Sequence, residues 1–223
     1  VLGYAARAGG DIHAAVARLA ELLLDSDVAF NAQQALTISA GKNGDLRPAY
    51  PGIARALRHP GHVTNWNLQQ LASGLLARDG AADIVDAFVS LVDPPKHREM
   101  PLMHLNLGIK AGADVSSGIA VIQRIADTDD HPYHREQAAH ILVQHHIRRQ
   151  DWKALSRLLA HKRDDVRGAA CSMIQQLAAT SDVSAVVPAV VAVALDEKGD
   201  FSALLTYVWG KMTTEAGSVK GVL

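Results

Sequence analysis

The chain has 223 residues, of which 48% are hydrophobic, 20% charged and only 4% aromatic. That balance excludes disordered and collagen-like chains, and a single cysteine, Cys171, excludes a scaffold held by internal disulfides. With 22 Lys and Arg against 23 Asp and Glu, the net charge of −1 supplies no global positive field for phosphates, so nucleic acid is not an expected partner. A core poor in aromatics must be built from Ala, Leu, Val and Ile, which suits close helix packing, and an all-α chain is expected. No stretch reaches the roughly 20 apolar residues that span a bilayer, and the chain does not open on a basic and apolar leader. A reducing, cytoplasmic setting is the expectation, with no cofactor and no membrane partner.

In chain order, residues 1–10 end a helix-like run, Leu2-Gly3-Tyr4-Ala5, and read as the remnant of a preceding repeat in a longer chain or complex. Apolar stretches with helical period then alternate with short Asp-, Gly- and Pro-containing turns, and no convincing period-2 strand interrupts them. The spacing predicts helices over 11–24 and 27–40, 46–58 and 62–78, 81–92 and 97–111, 114–127 and 133–147, 151–160 and 165–179, and 183–195 and 200–212. Aligning the second member of each pair on Ala32, Leu68, Leu102, Ala138, Ala170 and Leu204 gives separations of 36, 34, 36, 32 and 34 residues. A period in that range is the signature of stacked helical repeats, and residues 11–212 are expected as one domain. Residues 213–223 lack helical period and read as a flexible tail.

One run decides among repeat families. Asp164-Asp165-Val166-Arg167-Gly168-Ala169-Ala170-Cys171-Ser172-Met173-Ile174 resembles the second helix of a HEAT repeat: Asp in the turn, Val-Arg at the helix start, then small and aliphatic residues. His134-Arg135-Glu136-Gln137-Ala138-Ala139-His140-Ile141-Leu142 repeats that register, and Val28-Ala29-Phe30-Asn31-Ala32-Gln33-Gln34-Ala35-Leu36 fits with Ala29 in place of the Arg. Pairs two, three and six carry Asn65, Glu99 and Phe201 at the Arg position. The resemblance, to HEAT-like proteins of the phycobilin-lyase type, implies a right-handed α-solenoid of about six antiparallel helix pairs with the second helices lining a concave face. It also implies that Arg135 and Arg167 bond turn carboxylates such as Asp129, Asp130 and Asp164.

The residue two positions after each anchor is expected to project away from the first helices, and there stand Gln34, Gln70, His104, His140, Ser172 and Thr206. One turn earlier the same face carries Phe30 and Asn31, Trp66 and Asn67, Met100, and Glu136 and Gln137. Aromatics flanked by carboxamides have the composition of an interaction surface, although Phe30 and Trp66 could equally pack between layers. The expected contact patch for a protein or peptide is therefore Phe30, Asn31, Gln34, Trp66, Asn67 and Gln70, extended by His104, Glu136 and His140.

Eleven histidines are many for this length. His104, His140 and Glu136 form a weak candidate metal set, since imidazole and carboxylate suit Zn or Fe, and the alternative function is a metal-dependent or small-molecule-modifying enzyme built on them. Surface histidines bonded to solvent or local carbonyls account for the same pattern. No HExxH, phosphate loop or Gly-x-Ser-x-Gly is present, so no catalytic residue is assigned. Deoxyhypusine hydroxylases resemble HEAT solenoids with His-Glu pairs after the Val-Arg, but Glu136-Gln137, Gly168-Ala169 and Met100-Pro101 stand in those slots. The alkylpurine DNA glycosylases resemble the same architecture but use a basic channel, which the neutral row here does not offer.

Overall fold

The computed structural model of the chain describes residues 13–41, 45–62 and 64–178. Among these the regular structure is wholly helical: α1 (His13–Glu21), α2 (Ala29–Gly41), α3 (Tyr50–Arg58), α4 (Trp66–Ser73), α5 (Ala82–Val92), α6 (Glu99–Ala111), α7 (Ile119–Thr128), α8 (Pro132–Arg149), α9 (Trp152–Leu159) and α10 (Asp164–Ala178). Single 3₁₀ turns at Leu22–Leu24, Arg47–Ala49, Pro60–His62 and Ser116–Gly118 lead into or out of several of them. The all-α expectation holds, and each of the first five predicted pairs contains its two helices. The sixth pair, residues 1–10 and residues 213–223 lie outside the described residues, as does Thr206. No described helix is long and apolar enough to cross a membrane.

Local chemistry explains the helix limits. Asn65 caps α4 by accepting the Leu68 N–H at 3.1 Å, and Asp151 caps α9 by accepting that of Ala154 at 3.1 Å. The helix predicted over 62–78 is only α4: it starts after this cap and stops at Ser73, where Gly74 takes the C-cap. Successive turns continue the coil, with Leu75 N–H donating to the Ala72 carbonyl, so Leu75 and Leu76 still reach the core. Gly112 closes α6 in the left-handed region at φ 116°, with its own N–H and that of Ala113 returned to Ile109 and Gly108.

Two compact units divide after Val121. In the first, α1 packs on α2, α3 on α4 and α5 on α6, while α3 also packs on α1 and α5, and α4 on α2 and α6. The interfaces are close because they are built from alanine and glycine. Ala54, Ala56, Ala72 and Ala87 are fully buried, and a Cβ on Gly52 would stand 2.6 Å from that of Ala20. α3 shows the pattern, burying Tyr50, Ile53, Ala54 and Leu57 at i, i+3, i+4 and i+7.

In the second unit α8, α9 and α10 pack on one another. Arg135, buried near the start of α8, donates from Nη1 to the Asp129 carbonyl at 2.6 Å and from Nε to the Asp165 carboxylate at 2.7 Å, with a second bond from Nη2. Arg167 repeats the first bond, to the His161 carbonyl at 2.6 Å, and pairs with Asp164. Of the carboxylates expected, Asp164 pairs with Arg167, whereas Arg135 takes that of Asp165 at the start of α10, and the Asp129 carboxylate accepts from His131 N–H and lies 3.1 Å from His134 Nδ1. In the first unit Arg98, one residue ahead of the aligned Glu99, makes the equivalent bond to the Asp93 carbonyl at 2.6 Å.

Candidate functional site

The anchors Ala32, Leu68, Leu102, Ala138 and Ala170 are all buried, as the aligned register requires. Two positions on, Gln34 and Gln70 are exposed, and His140 and Ser172 half-buried. Phe30 is 63% exposed and Trp66 48% exposed, so packing between layers leaves much of each ring open; Asn31 and Asn67 are exposed beside them. A further large apolar side chain, Leu107 on α6, is also 48% exposed. Most of the large apolar side chains exposed among the described residues thus stand on α2, α4 and α6, the second helices of three successive pairs.

Between α2 and α4 lies an open groove of about 670 Å³. Phe30, Gln33, Gln34 and Thr37 line it from α2, and Asn67 and Gln70 line it from α4. Four of the predicted contact residues, Phe30, Gln34, Asn67 and Gln70, are therefore brought together; Asn31 and Trp66 are exposed on the same two helices but do not line it. Gln33, Thr37 and Arg78 were not anticipated. Arg78, from the turns that follow α4, donates to the Ala40 carbonyl at 2.9 Å and so ties the end of α2 to this wall. Among the described residues Arg78 is the one charged member of the lining, and no acid joins it.

His104 departs from its expected outward projection: its side chain is completely buried. The reason is the neighbouring layer. The Trp66 ring lies 5.7 Å from the imidazole on one side and the Phe88 ring 5.6 Å on another. Neither ring nitrogen has a hydrogen-bond partner among the described residues. Burial pushes the His104 pKa below its ordinary value, since a charge there would lose its hydration.

Glu136 and His140 stand one turn apart on α8 in the second unit, both half-buried, whereas His104 belongs to the first. Among the described residues no three His, Cys, Asp or Glu side chains gather as metal ligands would. Other imidazoles are engaged locally: His161 Nε2 meets Asp127 at 2.9 Å and His134 meets Asp129 at 3.1 Å. Cys171 is half-buried, and burial raises its thiol pKa, which disfavours the reactive thiolate. Among known proteins, no family model and no curated protein matches this sequence.

Proposed function

We propose that this chain is a HEAT-like repeat protein, a right-handed α-solenoid, whose second helices form a binding face for a protein or peptide segment, with the groove between α2 and α4 as the principal contact. The observation that carries the reading is the convergence of four carboxamides, Gln33, Gln34, Asn67 and Gln70, with the exposed ring of Phe30 in one groove. Each carboxamide offers both donor and acceptor, which complements a polypeptide main chain carrying one of each per residue. Phe30, with Trp66 and Leu107 beyond the groove, adds the apolar area that anchors a bound side chain. The repeat reading is supported by the successive packing of α1, α3 and α5, by that of α2, α4 and α6, and by the recurring arginine-to-carbonyl bonds of Arg98, Arg135 and Arg167.

Random-peptide phage display on the immobilised chain tests this. The expected result is an enriched consensus with an apolar anchor that is lost when Phe30→Ser and Gln34→Ala are introduced together. No consensus, or one that the double variant retains, would refute the assignment.

A further inference from the structure

We propose that Trp66 and His104 form a proton-operated latch on this binding face: the Trp66 indole lies closed over neutral His104 and lifts away when the imidazole is protonated. This names a regulation of the proposed peptide site and rests on that reading for its consequence, because Trp66 belongs to the same exposed face.

His104 breaks the register of the exposed face. α2 and α4 expose Gln34 and Gln70 where α6 holds His104, yet His104 is fully buried and both its nitrogens lack partners. A buried polar group without a hydrogen bond is unfavourable, and an unpaired charge in the same slot far more so. The two walls of the slot are unequal. Phe88 is completely buried on α5, whereas Trp66 is half-exposed in the first turn of α4. A newly formed imidazolium would therefore reach water on the Trp66 side. The faces of Trp66 and Phe88 attract a cation weakly, but they do not replace its hydration.

Among the described residues no counter-charge offsets this. α4 carries no titratable side chain. α5 brings Asp83 and Asp86, both exposed, with Asp86 accepting from Ser117 Oγ at 2.7 Å. On α6 itself Glu99 and Lys110 are exposed, and Arg98 is turned to the Asp93 carbonyl. The turns after α4, where a Cβ on Gly108 would touch Leu76, bring exposed Asp79 and the carbonyl-bonded Arg78. Burial is what lowers the His104 pKa. The closed form is thus favoured above the ordinary histidine value of about 6.5 and loses ground as pH falls below it. His62, whose Nδ1 lies 3.4 Å from Asn65, the cap of α4 and the residue before Trp66, serves as the control.

The test is fluorine NMR of the full chain labelled with 5-fluorotryptophan, from neutral to mildly acidic pH, with the Trp66 resonance assigned by its loss in Trp66→Phe. The latch predicts a Trp66 shift with one midpoint below about 6.5, abolished in His104→Phe and retained in His62→Gln. His104→Leu replaces the phenylalanine variant should that variant misfold. A Trp66 resonance constant while helicity is intact overturns the latch, as does a shift that survives removal of His104 or appears only with global loss of helicity. Display-selected peptides separate the two claims. A titrating latch in a chain that selects no peptide sinks the binding reading alone, and peptide affinity that ignores a titrating Trp66 removes the regulatory role.

Discussion

Replacing Arg135 by methionine should destabilise the second unit, because the guanidinium is 7% exposed and holds two groups that have no ready substitute. It donates to the Asp165 carboxylate through Nε at 2.7 Å and through Nη2, and to the Asp129 carbonyl through Nη1 at 2.6 Å. Methionine keeps the apolar stem but takes two donors from the Asp165 carboxylate, which keeps the Val166 N–H, and one from the Asp129 carbonyl. Removing one partner of a fully buried ion pair costs about 3–5 kcal/mol. The Asp165 side chain is 19% exposed, so water recovers part of that loss and about 2–4 kcal/mol is expected. Arg135→Lys should fall between wild type and methionine, since an ammonium keeps the charge but not the forked geometry. Urea denaturation gives the magnitude, and amide exchange resolved along α8 and α10 gives the location. A loss below about 0.5 kcal/mol, the behaviour of an exposed ion pair, would mean that Arg135 does not hold the second unit together.

Other expectations follow from single contacts. Gly52→Ala should cost about 1–3 kcal/mol in thermal or urea unfolding, because its Cβ would stand 2.6 Å from the Ala20 Cβ and 3.1 Å from the Ala20 main chain. Gln150 closes α8 at φ 55°, so Gln150→Gly should raise stability by about 0.5–1 kcal/mol in the same assay. Asn65→Ala removes the α4 cap and should lower stability by about 1 kcal/mol, with faster amide exchange at Leu68. Burial raises the Asp165 carboxyl pKa, but the Arg135 and Val166 N–H bonds outweigh it and hold the group below its ordinary 3.8. Its contribution is therefore present above about pH 3.8 and lost as pH falls through the lower folded value, so Asp165→Asn should flatten the acid limb of a stability profile below that pH.

The helices were legible because their apolar residues recur at helical spacing, and the register was legible because the small or aliphatic anchor of each described second helix is buried. Arg98 escaped alignment through a one-residue offset: His97 takes φ 65° just before α6, so the arginine that reaches the Asp93 carbonyl precedes the aligned Glu99. Phe30, Gln34, Asn67 and Gln70 could be named from the sequence because exposure on a helix follows from its period. Gln33, Thr37 and Arg78 could not, since they line the groove only once α2 and α4 are set side by side. His104 was misjudged for the same physical reason. Its burial is imposed by an indole from the neighbouring layer, and no periodicity within α6 encodes that.

The most direct test of the binding face is the affinity of a display-selected peptide for the wild-type chain and for Trp66→Ala/Gln70→Ala, measured by isothermal titration calorimetry at neutral pH. A loss of more than about 1 kcal/mol, roughly fivefold or more in Kd, is expected, with the helical circular dichroism unchanged. Equal affinity for the two proteins would contradict it.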